Sequence, residues 1–560
     1  MSLIDTRHDQ IFPVLTAAQV AVARRFAEGP PRSFAGGEEM AAIGQVGAPS
    51  FLVLSGQAVI YRRDGAGAKG TVTTHGPGEI TGDVSQLGGR GALVEVRAGD
   101  EGCEAVCFDA AHLRALIIGS AEIGEAVMRA FILRRMSLLA DGGAGSVLLG
   151  RPTDPALVRI EGFLTRNGQP YSVHDLHDPE AEGLVQRLGL ATEHLPLVLC
   201  PGGAVLKAPS DVELAAGLGL MPALDPAELF DVAIVGAGPA GLAAAVYAAS
   251  EALSVLVLDG QGYGGQAGAS ARIENYLGFP TGISGHALAG RAFNQAQKFG
   301  ARIATPLAVR TVDCSGRDQH PPKPFVLTLT DGRTVRARSV VIAAGARYRR
   351  LDVPELPTFE GAGVAYWASP VEARLCAGEE VALVGAGNSA GQAIVFLAPR
   401  VRHLHVFARG AGLEATMSHY LIDRINALPN VTLHFHTEVT TLSGDAGSGL
   451  QGMETRDRST GETKSWDMRH LFLLIGADPN TGWLDGCPVA LDAHGYVRTG
   501  EAWDSPTWTA LGRAPLTLET SVPGIFAIGD IRAGSAKRVA AAVGDGAQVV
   551  ASLHRVLAPT

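Results

Sequence analysis

Hydrophobic positions recur along this chain with several different rhythms. Up to about residue 140 they come in short Val, Ile and Leu runs parted by glycine, as in FLVLSGQAVIYRR (51–63) and ALVEVRA (92–98). Apolar runs of that length, bounded by turn residues, predict the strands of a β-roll. From about Ala121 to Leu139 the apolar positions fall at helical spacing instead. A glycine-rich seam, DGGAG at 141–145, predicts a boundary. Residues 146–222 then alternate strand-like and helix-like segments in a short unit: SVLLG, PALVRIEGFLTRNG, YSVHDL, a helix, and LPLVLC. A proline-containing linker, MPALDPAEL (221–229), leads on. From Phe230 to the end, strands and helices alternate in the manner of doubly wound α/β sheets. The expected organisation is multidomain. A β-roll with helices covers 1–143 and a small α/β unit covers 144–222. Two doubly wound dinucleotide-binding domains follow, one (351–484) inserted in the other (228–350 and 485–560).

Two uncharged stretches of 19 residues, Val232–Ser250 and Val381–Pro399, approach the length of a membrane span. Each carries G-x-G in its middle after a strand-like run, so a strand entering a helix at a nucleotide loop explains them better. In the first, Gly236, Gly238 and Gly241 stand at G-x-G-x-x-G spacing. The first glycine allows a tight turn after the strand. The second lets the backbone approach a pyrophosphate at the helix N-terminus, and the third lets helix and strand pack closely. A second strand, SVLVLD, ends at Asp259, placed to accept from a ribose hydroxyl. The bland alternative is a structural glycine-rich turn. In the second stretch the pattern is Gly385, Gly387 and Ala390, and the following strand ends not in an acid but near Arg409. A missing acid and an arginine favour a 2′-phosphate, hence NADP(H) over NAD(H); otherwise Arg409 is a solvated surface charge.

Charge and cysteine content narrow the field. Lys and Arg number 46 against 56 Asp and Glu, a net charge of −10, which argues against a general nucleic-acid binder. Six cysteines in 560 residues exclude a disulfide scaffold and a Cys-rich zinc site, and no Cys-x-x-Cys occurs. No metal site is expected. The start, MSLIDTRHDQ, has charges where a secretory signal needs an apolar run, so a soluble, cytoplasmic protein without a membrane span is expected.

Over Phe230 to about Leu557 the sequence resembles the low-molecular-weight thioredoxin reductase family of FAD- and NADPH-dependent flavoproteins. The likeness rests on the first glycine loop together with GGQAGASARIENYLGFPTGISG (264–285), VVIAAGA (340–346), FLLIGADPNTGWL (472–484), SVPGIFAIGDIRAG (521–534) and KRVAAAVGDGAQ (537–548). It implies that FAD lies on Gly236, Gly238, Pro239, Ala240 and Gly241, with Asp259 at a ribose. Gly265, Gln266 and Asn275 would contact it from the second motif, and Ala344 and Gly345 from the third. Gly529 and Asp530, the latter at the ribitol chain, and Arg538, Val539 and Ala540 would complete that site. NADPH, with NADH as the alternative, would lie on Gly385, Gly387, Asn388, Ser389 and Ala390, with Arg409, Ile475 and Gly476. Where the family has His-Arg-Arg, this chain reads Ala408-Arg409-Gly410.

The family's redox Cys-x-x-Cys falls here on Trp367 and Pro370, and its acid on Val371. Disulfide exchange needs an attacking thiolate and a resolving partner, and neither stands there. Ser369-Pro370-Val371-Glu372 reads instead as a capping box with proline at the first helical position. Glu372 is then a cap, with a proton-donor role as the alternative. Trp367 either stacks near a flavin or fills a domain interface. Cys376 reads as a packed small residue.

Residues 146–222 resemble a glutaredoxin- or thioredoxin-like fold through RNGQPYSVHDL (166–176) and LPLVLCPGG (195–203). The resemblance places a cis-proline at Leu195-Pro196 and the family's Cys-Pro-x-Cys on Asp154-Pro155-Ala156-Leu157, a capped helix start without thiols. Cys200 has no partner nearby in sequence, and a structural or docking role is expected. Residues 11–140 resemble a cyclic-nucleotide-binding β-roll, with GPGEITGDVSQLGGRGALVEVRA (76–98) following the phosphate-cassette pattern. Its ribose-binding Glu is Asp83, and its phosphate-binding Arg falls on Ala92, with Arg90 two residues away. Without that donor a phosphate loses hydrogen bonds worth roughly 1.5–3 kcal/mol each, so cyclic-nucleotide affinity is expected to be weak or absent. Cys103 and Cys107 lie roughly 13 Å apart along a strand-like run, too far for a disulfide, and read as core.

The resemblance therefore implies an FAD-dependent oxidoreductase taking hydride from NADPH and passing electrons to an unidentified acceptor without an internal dithiol. An external redox protein or disulfide, a quinone, an iron–sulfur protein and oxygen all stay open as acceptors. A homodimer is what the family suggests. The alternative is an NADPH/flavin redox sensor or regulatory protein, cyclic-nucleotide-linked if a nucleotide binds despite Ala92.

Overall fold

The structure, a computed structural model, describes all residues except 1–2, 64–68, 142–144, 153, 176–177, 189–194, 317–321, 446–447 and 559–560. Most of the glycine seam expected as the first boundary therefore lies outside the described residues. The N-terminal unit is a β-roll. Its long strands Ser50–Arg63 and Glu95–Phe108 pair antiparallel, with Arg32–Phe34 and Lys69–His75 on the outer sides. The helices Ala110–Gly119 and Ala121–Asp141 close one side, because Leu113, Leu116, Ile123, Val127 and Phe131 all face Leu52 and Phe108. Cys103 and Cys107 are buried and free, as core cysteines are.

The small α/β unit has a four-stranded sheet. Ser146–Leu149 pairs in parallel with Tyr171–His174 and antiparallel with Leu197–Leu199, which pairs with Val205–Lys207. The helix Pro155–Arg166 starts where the sequence places it. Asp154 accepts from Ala156 N at 2.8 Å, and Pro155 needs no hydrogen-bond acceptor in the first turn. The Leu195-Pro196 peptide is cis, and so is Thr305-Pro306, which carried no sequence signal.

The rest of the chain builds two large sheets, a three-stranded antiparallel sheet (Thr437–Asp445, Gly449–Asp457 and Thr463–Asp467) and a short two-stranded pair. The larger runs Arg302–Ala304, Val255–Leu258, Leu229–Val235, Thr334–Ile342, Phe325–Leu329 and Val309–Asp313, and Ile525–Ala527 pairs in parallel with Thr334–Ile342. Val232, Ala233 and Ile234 have no exposed surface because the sheet is covered on both faces, which is why the strand reads as one apolar run. The helix Pro239–Ser250 is alanine-rich because Val539–Leu557 lies directly on it; a Cβ at Gly546 would stand only 2.5 Å from Ala240 O. The smaller sheet is all parallel: Val364–Ala365, Leu471–Leu473, Glu380–Val384, His403–Phe407 and Val431–His434. Ala346–Tyr348 pairs antiparallel with Ala477–Pro479 where the chain passes between the two sheets. A disulfide joins Cys314 and Cys487, 173 residues apart, under the larger sheet; sequence spacing gave no hint of it.

Candidate functional site

The two uncharged stretches are not spans. Each is a strand, a glycine turn and a helix, and among the described residues no helix is long and apolar enough to cross a membrane. At the first turn Gly236 has φ +113°, and a Cβ there would collide with the carbonyl of Ala343. Gly238 is extended and forms the N-cap of Pro239–Ser250 with no side chain accepting from the first turn. A Cβ on Gly238 would project into open space, meeting only Gly265 Cα at 3.9 Å. Bare backbone N–H groups at a helix N-terminus, facing an open cradle, suit a pyrophosphate. Asp259 stands beside the turn. Its Oδ2 accepts from Ala237 N at 2.9 Å and its Oδ1 from Gln261 N at 2.9 Å.

Around this cradle the structure gathers the other residues expected to hold FAD. Gln266 donates from Nε2 to Ala346 O at 2.6 Å, tying the loop to the strand that follows Ala344 and Gly345. Gly529 N donates to Asp545 Oδ2 at 3.0 Å, and a Cβ at Gly529 would approach Ala240 at 2.8 Å, so this turn sits on the first loop's helix. Burial pushes the carboxyl of Asp530 above its ordinary value, against the pull of Lys537. Arg538 forms the N-cap of Val539–Leu557, with Val539 and Ala540 in its first turn. Asn275 lines a shallower hollow nearby with Arg272 and Tyr420. The chemistry of this set, a bare helix N-terminus flanked by the carboxylates of Asp259 and Asp530, fits FAD.

The second turn repeats the geometry. Gly385 has φ +151°, and a Cβ there would stand 2.5 Å from Leu474 O; Ala390 packs beneath it. Gly387 is the extended N-cap of Asn388–Leu397, again without a side-chain cap. Asn388 Oδ1 is engaged by Ser418 N at 2.7 Å, so the 413–418 loop lies against this turn. Ile475 and Gly476 follow the strand Leu471–Leu473, and Gly476 O accepts from Arg349 N at 2.9 Å. Arg409 is exposed just past the strand His403–Phe407. Sequence reasoning missed its neighbours. Glu438 accepts from Arg456 Nε at 3.1 Å, and Arg458 Nε lies 3.5 Å away. With Arg409 also nearby, these arginines hold the Glu438 carboxyl below its ordinary value. No spacing rule links positions 409, 456 and 458; only the sheet brings them together.

Beside the second turn lies a cavity of about 390 Å³, lined in part by Gln266, Ser270, Tyr348, Trp367, Ser389 and Arg424. Trp367 is thus on the wall shared by both dinucleotide units, 6.1 Å from the Tyr348 ring, with the Arg166 guanidinium 5.4 Å from its own ring. Its Nε1 donates to Glu372 Oε1 at 3.0 Å. Glu372 Oε2 accepts from Ser369 N at 3.0 Å and from the Ser369 hydroxyl. The capping box therefore forms, with Pro370 at its first position. Oε2 is occupied in the box and Oε1 by the Trp367 indole, which favours the cap over a proton donor. Cys376 is buried and free, and burial pushes its thiol up to about 11.

The cassette of the β-roll is closed by its own side chains. The turn Val84–Gly88 is capped by Asp83, whose Oδ1 accepts from Ser85 N at 2.7 Å, while Gln86 Oε1 accepts from Asp83 N at 2.7 Å. Asp83, at the ribose-binding position, is thus held in its own cap, and Arg135 Nη1 reaches its Oδ2 at 3.5 Å. Ala92 is buried and apolar, and Arg90 turns away to Phe293. Among the described residues no cluster of His, Cys, Asp or Glu could hold a metal ion.

Comparison with known proteins agrees with this geometry. Residues 31–119 match the cyclic nucleotide-binding domain. The chain is 32% identical over 336 residues to NADPH-dependent thioredoxin reductase 3 of Arabidopsis thaliana, covering 58% of each chain. It is 29% identical over 327 residues to an NADH dehydrogenase of Bacillus subtilis, covering 57% of each, so it spans little more than half the length of either relative. Thioredoxin reductase of T. acidophilum superposes with a TM-score of 0.51 at 31% identity, over 58% of this chain and 98% of that one. Residues 230–546, more than half of the chain, match the pyridine nucleotide-disulphide oxidoreductase model, and the protein belongs to that family.

Proposed function

We propose that the protein is an FAD-dependent NAD(P)H oxidoreductase that passes electrons to an acceptor outside the chain. The observation that carries this is the repeated strand, glycine turn and helix with a bare helix N-terminus at Gly238 and again at Gly387, with Trp367 and Pro370 where a redox dithiol would stand. Bound FAD would supply the two-electron chemistry, accepting hydride from a nicotinamide. The residues supply binding and orientation. Gly238 and Gly387 open helix N-termini to the two pyrophosphates, and Asp259 and Asp530 offer acceptors to sugar hydroxyls. Arg409, with Arg456 and Arg458 close by, favours a 2′-phosphate. Trp367 and Tyr348 wall the cavity.

The free cysteines leave no internal relay. Cys103, Cys107, Cys200 and Cys376 are buried, and burial pushes the thiols of Cys103, Cys200 and Cys376 up to about 11. The test is anaerobic mixing of the FAD-loaded protein with NADPH, followed by an acceptor screen. Flavin bleaching within turnover times is expected, and turnover with a dye acceptor should survive thiol alkylation. Loss of turnover on alkylation would overturn the dithiol-free reading. A sensor reading is favoured by one observation: Glu161 of the small α/β unit pairs with Arg374 at 2.7 Å, close to the Trp367 and Pro370 positions, so this unit is docked where a mobile carrier would work. Slow bleaching that no acceptor accelerates would select the sensor.

A further inference from the structure

The β-roll touches the larger dinucleotide unit through its cassette, and the contact falls on one helix, Gly285–Lys298. Gly88 of the cassette lies so close to the Gln297 amide that a Cβ there would collide with it. Arg90, the cassette's displaced arginine, places its guanidinium 4.6 Å from the centre of the Phe293 ring. Arg90 is half-buried, and its Nη2, shut off from solvent, has no hydrogen-bond partner among the described residues. The Phe293 ring face gives the guanidinium an attractive contact where it has given up water.

The same helix carries the flavin-side loop on its other contacts. Phe293 stacks on Tyr263 at 4.3 Å, and Tyr263 on His286 at 6.1 Å. Tyr263 opens the loop Tyr263–Gly268. Ala289 fits against Gly264 so closely that a Cβ there would stand 2.7 Å away, and Gly285 packs against the carbonyl of Ala267. Gly264 N donates to Ala237 O at 2.8 Å, inside the first glycine turn. A Cβ at Gly265 would stand 3.0 Å from Gly238 Cα, across the pyrophosphate cradle. A continuous run of contacts thus joins Arg90 to the cradle through Phe293, Tyr263 and Gly265.

We propose that Arg90 is a positioning residue for FAD: by seating the cassette on the Gly285–Lys298 helix, it fixes the Tyr263–Gly268 loop against the pyrophosphate cradle. This inference rests on the FAD reading of the first glycine turn. It gives the cassette a role that needs no cyclic nucleotide, which is consistent with Ala92 standing at the phosphate-ligand position.

The test is FAD titration of the full-length apoprotein, followed by flavin fluorescence, with the visible spectrum and midpoint potential of the bound flavin as second readouts. Arg90→Met should weaken FAD binding about tenfold, the order expected for loss of a desolvated cation–π contact, and should shift the bound flavin's spectrum and potential. Arg90→Lys keeps the cation and should restore most of the affinity. Arg129→Met, which removes an exposed pair with Glu125 elsewhere in the β-roll, should match wild type in every readout. Wild-type affinity, spectrum and potential in Arg90→Met would overturn the inference, as would equal weakening in Arg129→Met. If Arg90→Met does not fold, Phe293→Leu carries the same test, with Phe293→Tyr as its conservative partner. A wild-type chain that takes up no FAD would sink the functional reading itself; a yellow wild type with an indifferent Arg90→Met would sink only this inference.

Discussion

Gly236 and Gly238 share a motif but answer to different constraints. A methyl on Gly236 meets the Ala343 carbonyl, and φ +113° is strained for any L side chain. A methyl on Gly238 meets nearly nothing in the protein, so any penalty there comes from the ligand's approach. Gly236→Ala should therefore lower the stability of the apoprotein by about 2 kcal/mol or more, seen as a fall in Tm before any FAD is added. Gly238→Ala should leave the apoprotein Tm near wild type and weaken FAD binding. Equal Tm losses in both variants would contradict this division. The motif spacing was legible in the sequence; which glycine serves the chain and which serves the ligand was not.

At the scale of elements, the strands His403–Phe407 and Val431–His434 carry an imidazole pair that no motif announced. His405 Nδ1 and His434 Nε2 share a hydrogen bond of 3.2 Å, and His434 stacks on Phe407 at 4.8 Å. Trp466 of the strand Thr463–Asp467 packs on the same group, and Lys464 lies beside it. Glu380 lies 3.7 Å from His405 Nε2 and draws the other way. Burial first, then the neighbouring charges of His405, Lys464 and His403, lower His434 from 6.5 to about 4. Burial likewise lowers His405. The folded state therefore favours the neutral ring, and the unfolded chain takes up the proton first as pH falls. Stability should be full above 6.5 and decline between about 6.5 and 4. Thermal melts across that window should show the decline, and His434→Phe, which keeps the stack on Phe407, should flatten it. An unchanged slope in that variant would show that other groups control the window.

Over the whole molecule, the small α/β unit acts as a tie between the two dinucleotide units. Its Glu161 carboxylate is fully buried and pairs with Arg374 beside the smaller sheet. At the end of the same helix, Asn167 Nδ2 donates to Gln261 O at 3.1 Å, and its Oδ1 accepts from Thr305 Oγ1 at 3.1 Å, both beside the larger sheet. Arg135 of the β-roll also reaches this turn, at Gly168 O. Arg374→Met would leave Glu161 buried with only the Tyr171 hydroxyl, at 3.3 Å. Because the Arg374 side chain is 56% exposed, the expected loss is about 1–2 kcal/mol rather than that of a fully buried pair. It should appear as a lower urea midpoint and faster proteolysis near Pro370–Leu375. Wild-type behaviour in both would show that the tie holds nothing.

Local geometry followed from the order of residues alone. Gly236, Gly385, the Asp154 and Ser369 caps and the apolar strands before each loop are short-range demands, met within a few residues, and so they could be read along the chain. The lack of a Cys-x-x-Cys was equally plain, because a spacing of four residues needs no fold to establish. What lies across from what emerged only once the chain was folded: Arg90 on Phe293, Glu161 against Arg374, the arginines 409, 456 and 458 around Glu438, and Cys314 bonded to Cys487. These contacts join residues tens to hundreds of positions apart. Their partners are chosen by how sheets and helices stack, which periodicity does not encode.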